Sequence, residues 1–590
     1  MLIDQILISA IILISLGLFI WGKWRTDVVA LLALFSAMVL GLVPLEEMFA
    51  GFIHPVIVLV IAMVVISKGL VNSGVVDIVA RHLKFADKHS ALQLALLVAF
   101  TAFLSAFINS MGALAFVIPI AIRMARQSGA PLSMFLLPIA FASHFGGSIT
   151  LVGSASNIIV SGFRAQDSTA FGFFDFALVA LPVAIVGIIF VSLIGWRFIP
   201  KREDVFARRA GLERYATEIK VPGSSPMVGK NIQEFKKFSK EYFTLTAIVR
   251  DGQRIPEPSP FIVLQAEDIL LIEAKAEALE AIVATAELEL VWKKPFTEIK
   301  KTREEELETI EVVIPATSSL AGETAKELRL HYNYRINLLA LHRPGAKIAT
   351  RLGDMYFRRG DVLVIQGYSE EITHFVKIFG LLPLKEQEFH FEGKKQKALL
   401  ASGIFALAVI ISIFTTFPVH LVFATAALAI VVGGFISTKE MYQSVDLSIV
   451  VLLAVMLQIG FIFQSTGAAS ALASSFISLP WEISPTIALG TILLASIWVS
   501  DILSNATVAV IFAPVAISMA SILNVSADPF LIAVAIGSAS SYLTPLGHQS
   551  NSFVMSIGGY RFGDYWKLGL PLEIVTFATA LPLILRFWPF

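Results

Sequence analysis

Four short polar segments interrupt stretches of chain that are otherwise apolar: Asn109-Ser110-Met111, Gly147 to Asn157, Ser504-Asn505-Ala506 and Thr544 to Asn551. Backbone that leaves a helix inside hydrocarbon strands N–H and C=O groups at several kcal/mol each, so such a break persists where it lines a cavity or binds something. At each of the two tripeptide tips one helix ends and another begins. C-terminal carbonyls can then coordinate a cation while N-terminal N–H groups face an anion. Segments of this kind hold an anion without a fixed positive side chain. Small polar residues also join membrane helices without binding anything, but four breaks at matched places favour a transport site.

The matching is visible as a repeat with an offset of about 394 residues. Ser73-Gly74 is answered by Thr466-Gly467, Ser110 by Asn505, Pro119 by Pro514, Gly153 by Gly547 and Asn157 by Asn551. Two related membrane halves are what transporter folds leave in sequence. The elements that carry the breaks must be membrane helices: the 590 residues are 56% hydrophobic and 15% charged, with a mean hydropathy of +0.77. Apolar runs cover Ile6 to Phe19, Val28 to Leu42, Val56 to Leu70 and Phe174 to Ile194, then Leu399 to Ile413, Leu421 to Ile436 and Leu447 to Ile462. The first run is read as a retained anchor, because Lys23 and Arg25 follow it and no small-residue cleavage site does. Cysteine is absent, which excludes disulfides and thiol chemistry, and a net charge of zero gives no field for nucleic acid.

Loop charges set the orientation. Lys23 and Arg25 place the first loop in the cytoplasm, Glu46 and Glu47 mark an outer loop, and Arg81, Lys84 and Lys88 return the chain inside, so the N-terminus lies outside. From Ala91 to Ile108 the chain goes into the bilayer, and from Gly112 to Ile122 it leaves towards Arg123 and Arg126; that second leg is too short to span at about 1.5 Å per residue. A re-entrant hairpin opening inwards is expected. Met134 to Val160 then crosses outwards, and the next run returns to Arg197, Lys201 and Arg202. An odd number of crossings inverts the second half, whose hairpin, Ile487 to Leu503 and Thr507 to Met519, opens outwards. The fold class expected is a polytopic α-helical membrane protein in the inner (plasma) membrane, with inverted repeats, re-entrant hairpins and broken helices.

Between the halves, charged residues crowd together as in Glu298 to Glu308, marking a soluble, cytoplasmic α+β insert edged by Lys394, Lys395 and Lys397. Gly229, Arg250, Gly252 and Asp268 recur 93 positions later as Gly322, Arg343, Gly345 and Asp361. Two tandem domains are expected, 201–298 and 299–390, flanked by transmembrane halves 1–200 and 391–590. No Gly-x-Gly-x-x-Gly fingerprint or Walker loop occurs in the insert, and His331, His342, His374 and His390 lack metal-ligand spacing, so no enzyme constellation is read there.

With these residues in view, the two tips, each followed by a proline nine residues after its middle residue, resemble the Ser-Asn-Thr hairpin tips of the divalent anion/sodium symporter (DASS) family. Thr544-Pro-Leu-Gly-His-Gln-Ser-Asn551, continuing to Gly558-Gly-Tyr-Arg-Phe562, looks like the branch known as sulfate or dicarboxylate permeases, in which an insert of paired domains similar to the C-terminal domain of potassium-conductance regulators (RCK C-terminal, or TrkA-C) is common. The resemblance implies a dimeric, elevator-type secondary transporter whose partners are a small anion, sodium as coupling ion and the lipid bilayer. It places a first sodium site at Ser105, Asn109, Ser110 and Gly153, and a second at Ser500, Asn505 and Gly547. Substrate is placed between the tips, near Ser110, Met111, Ser154, Asn157, Asn505, Ala506, His548 and Asn551. Met111 and Ala506 stand where the family has carboxylate-binding threonines, which favours sulfate over a dicarboxylate.

Ionisable residues at membrane depth cost about 2.5 kcal/mol or more on insertion scales, so Lys68, Asp77, His144, Asp501 and His548 are each read individually. Lys68 and Asp77 suit an interfacial position. Asp501 suits a cation or proton role or a structural ion pair. His144 and His548 both sit close to the broken helices, and His548, inside the second break, can meet an anion as a protonated imidazole. Two other function classes remain open: a sodium/proton antiporter using Asp501, and an ion channel gated by the insert. The insert itself suits a sensor of a small cytosolic ligand such as a nucleotide, or a brace for the dimer. No organic cofactor is expected.

Overall fold

The computed structural model describes residues 2–21, 23–75, 90–108, 110–128, 130–167, 169–200, 215–239, 243–251, 253–256, 258–274, 278, 282, 286–291, 307–314, 318–343, 352–358, 360–383, 395–478 and 483–590. Asn109, Asp77, Arg81, Lys84, Lys88, Lys201, Arg202, Gly252, Gly345, His390 and Lys394, and the expected boundary at 298/299, lie outside the described residues. The chain divides into a helical unit (1–202 with most of 390–590) and an insert unit (203–389).

In the helical unit the apolar runs become helices Leu2–Trp21, Thr26–Val39, Pro55–Asn72, Ala177–Leu193, Lys395–Phe414, Val419–Val432 and Leu447–Ser465, with Tyr565–Phe587 closing the chain. Among the described residues six helices are long and apolar enough to cross a membrane. Large aliphatic side chains such as Val39, Val432 and Leu399 are more than three-quarters exposed, a surface that water does not reward and lipid does. A core running through both halves packs Phe173 on Phe423 with ring centroids 5.3 Å apart. Lys68 is exposed on its helix.

The expected hairpins are the helix pairs Ser90–Phe107 with Ser110–Ser128, and Pro485–Ser500 with Asn505–Ile522. Both second legs run further than the sequence suggested. The first does not stop at Ile122 but continues to Ser128, because Arg123, Met124, Ala125 and Arg126 are good helix formers and a helix need not end where its apolar stretch does. The second reaches Ile522 and is among the helices long enough to cross. The broken helices are Ser133–Ile149 with Ala155–Asp167, and Asp528–Ser538 with Gln549–Gly558. Tyr560 fixes the start of the first: its hydroxyl donates to the Ser133 carbonyl and accepts from Leu137 N–H at 3.0 Å, filling one rung of the helical ladder just before Pro138.

The insert is an antiparallel sheet of β1 (Tyr215–Lys220), β2 (Phe243–Arg250), β3 (Gln253–Pro256), β4 (Ile269–Ala274), β5 (Glu289–Leu290), β6 (Leu307–Val313), β7 (Asn337–His342), β8 (Val362–Tyr368) and β9 (Leu382–Pro383). Strand order is β3-β2-β4-β1-β7-β8-β6-β9, with β5 beside β1. The repeat read in sequence is a repeat in space: β1 pairs with β4 and β5 as β6 pairs with β8 and β9. Even the bulge between Leu245 and Ala247 recurs between Leu338 and Ala340. Gly229 and Gly322 adopt φ of +83° and +99°, which explains glycine at both places.

Candidate substrate and ion site

The two broken helices are held by one scheme used twice. In the first half Thr150 Oγ1 donates to the Ala106 carbonyl at 2.6 Å, tying the break to the end of the first hairpin leg. Asn157 Nδ2 donates to the carbonyls of Ser148 and Thr150 at 3.0 and 2.9 Å, taking up acceptors the broken helix leaves free. In the second half Thr544 Oγ1 donates to the Asp501 carbonyl, and Asn551 Nδ2 donates to Ser541 and Thr544 carbonyls at 2.9 and 3.0 Å. Ser105 Oγ donates to Ser143 O at 2.6 Å, and Ser500 Oγ to Gly537 O at 3.3 Å. Asn157 and Asn551 are clamps on the breaks through Nδ2; each Oδ1 is buried without a donor among the described residues.

The glycines permit close backbone approach. A Cβ at Gly153 would stand 2.5 Å from the Gly147 carbonyl oxygen, and one at Gly547 would collide with the Ser500 carbonyl. Of the positions placed in the first sodium site, Ser105 and Ser110 come together: their hydroxyls lie 3.1 Å apart, both reach Ser143 O, and Ser110 Oγ is 3.3 Å from where a Gly147 Cβ would be. In the second, Gly547 lies against Ser500, and Asn505 Oδ1 is buried with no donor among the described residues. An oxygen left that way suits a cation. Ser154 is turned to Ser156 Oγ at 2.8 Å. Met111 is half-buried, and Ala506 packs on the apolar core.

The halves meet at the breaks. His144, from the first broken helix, and His548, from the second break, have ring centroids 4.2 Å apart. Ser143 and Ser550 hydroxyls lie 3.2 Å apart beside them. Helix Asn505–Ile522 packs against Ala155–Asp167, and Arg164 on the latter makes a bidentate pair with Asp528, 2.7 Å for each bond. Among the described residues no lysine or arginine is fully buried.

A model of the citrate transporter family matches residues 16–537. The chain belongs to the citrate transporter family. It is a multi-pass membrane protein and a secondary transporter. Among relatives, it is 30% identical to the uncharacterized transporter sll0640 of Synechocystis sp., over 98% of this chain and 96% of that one. Sodium/sulfate cotransporter 2 of Chlamydomonas reinhardtii is 25% identical over 58% of this chain and 41% of its own length. The GsuK RCK domain aligns with 29% of this chain and 64% of its own at 11% identity, with a TM-score of 0.13, too low to carry the fold of the insert.

Two features of this family member escaped the sequence. Asp501 makes no salt bridge among the described residues; its Oδ1 accepts from Leu543 N–H at 2.8 Å, and its carboxyl lies near that of Glu573 on the last helix. Both carboxyls are buried. Glu573 was detectable as an acid within an apolar helix. The contact of His144 with His548 joins opposite halves and leaves no local pattern.

Proposed function

We propose that the protein is a sodium-coupled symporter of a divalent oxyanion, sulfate in preference to a dicarboxylate, of the divalent anion/sodium symporter type. The observation that carries this reading is the junction of the two breaks, where hydroxyls of Ser110, Ser143 and Ser550 and the imidazoles of His144 and His548 gather, with no buried lysine or arginine among the described residues. Such a site satisfies a compact anion through neutral donors, and its charge calls for a co-bound cation. The sodium/sulfate cotransporters among its relatives support the same ion pair. Sodium is assigned to Ser105, Asn109, Ser110 and Gly153, and to Ser500, Asn505 and Gly547.

The proposal extends to an elevator movement of hairpins and broken helices within a homodimer, with the N-terminus outside and the insert cytoplasmic. The two copies in the insert are taken as tandem TrkA-C-like domains, 201–298 and 299–390, that sense a small cytosolic ligand. Uptake of labelled sulfate into proteoliposomes tests the function: it should saturate, require an inward sodium gradient, and be lost in Asn505→Ala with the fold intact. Uptake indifferent to replacement of sodium by choline would remove the coupling, and citrate or succinate outcompeting sulfate would reverse the preference.

A further inference from the structure

His144 is 3% exposed, and neither ring nitrogen has a hydrogen-bond partner among the described residues. Whichever tautomer it adopts, a neutral imidazole carries one N–H donor. A buried donor with no acceptor costs about 1 to 3 kcal/mol, so its persistence asks for an acceptor that the described residues do not supply. The ring is also held in place: it stacks on Tyr542 at 5.6 Å with an interplanar angle of 24°, meets Phe141 edge-on at 6.2 Å, and has His548 4.2 Å away.

His548 is oriented too. Its Nδ1 accepts the Ser550 N–H at 3.1 Å, so a neutral His548 carries its proton on Nε2 and has a donor to offer. Two imidazole donors therefore stand side by side, one from each half, with the Ser143 and Ser550 hydroxyls adjacent. In inverted-repeat transporters substrate binds at the interface between repeats. The Ser143 hydroxyl already donates to the Ala140 carbonyl at 2.7 Å, so the two imidazole N–H groups carry the contact, and they match a species rich in acceptors.

We propose that His144 is a substrate-binding residue, forming with His548 a two-imidazole contact for the transported oxyanion across the seam between the halves. This rests on the reading of the substrate as an oxyanion, and it moves the contact from the tips, where Met111 and Ala506 offer no donor, to the breaks. Neither imidazole needs to be charged.

Sulfate uptake by the full chain in proteoliposomes tests it with two variants. His144→Phe keeps a ring against Tyr542 but has no donor, and should raise KM for sulfate about ten-fold or more with the sodium dependence retained. His144→Gln restores an N–H from a shorter side chain and should fall between Phe and the natural residue. Sulfate should also raise the unfolding temperature of the natural protein and not that of His144→Phe. If His144→Phe does not fold, His144→Gln alone carries the test: a KM for sulfate raised above the natural value supports the inference, and a natural KM overturns it. A natural KM and natural sulfate stabilisation in the folded variant would overturn the inference alone. Failure of sulfate and citrate either to move across the membrane or to stabilise the natural protein would overturn the oxyanion reading and this inference with it.

Discussion

The first break and the second break share a framework and differ in charge. Thr150 and Thr544 reach the same place on their hairpins, the carbonyls of Ala106 and Asp501. Asn157 and Asn551 each clamp two carbonyls of their own break. These bonds go to backbone, so the residue at the hairpin end is free to vary in side chain. The first half places Ala106 there. The second places Asp501, whose carboxyl holds Leu543 N–H and faces Glu573. Counted by the repeat offset, Glu573 stands where the first half has Val179, buried in helix Ala177–Leu193. The repeat thus conserves how a break is closed and lets one half acquire an acidic pair.

Transplanting the charge should have the largest effect. Ala106→Asp buries a carboxyl, at a position 3% exposed, with Val179 where the second half has Glu573, and should lower stability by about 3 kcal/mol or more, seen as lost folded yield in detergent. In the second half, Asp501→Leu strips Leu543 N–H of its acceptor and should cost about 2 to 3 kcal/mol, whereas Asp501→Asn keeps an acceptor oxygen and should cost less than half as much. The double variant Asp501→Asn with Glu573→Gln should differ from the sum of the two single changes, since groups in contact do not add. Strict additivity in thermal unfolding would show that the two carboxyls act separately.

The shared framework should respond equally on both sides. Asn157→Leu and Asn551→Leu each remove two side-chain hydrogen bonds to buried carbonyls, and each should cost about 2 kcal/mol. Similar losses of unfolding temperature are expected for both. If one variant proved nearly silent, the two breaks would not be closed in the same way.

How far this was legible in sequence follows from the physics of each part. Apolar runs such as Leu447 to Ile462 could be read because the bilayer demands a minimum length, and the helix found there is Leu447–Ser465. The hairpin legs were read too short, since Arg123 and Arg126 end an apolar run without ending a helix. The breaks were visible as Gly, Ser and Asn where helices in lipid must stop. Their hydrogen bonds were not, because Thr150 and Thr544 act across 44 and 43 residues on main-chain oxygens whose identity the sequence does not constrain. Asp501 was visible as an ionisable residue, but an ion pair was one of its two readings, and the partner that the fold provides is another acid.

The two copies of the insert make a control for the two breaks, because there the repeated chemistry is identical. Arg250 makes a bidentate pair with Asp268 and bonds the Val263 carbonyl; Arg343 does the same with Asp361 and the Tyr356 carbonyl, all within 2.7 to 2.9 Å. Each aspartate also accepts a backbone N–H, from Gln265 or Arg358. Both aspartates are 1% exposed, so removal of either arginine leaves a buried carboxylate short of two donors. Arg250→Ala and Arg343→Ala should each cost about 1 to 3 kcal/mol in the unfolding of the full chain. The Arg343 side chain is 13% exposed against 24% for Arg250, so its loss should be the larger by a small margin, as water replaces the buried partner less well. Equal chemistry at unequal burial would then be separable from the breaks, where burial is alike and the chemistry differs.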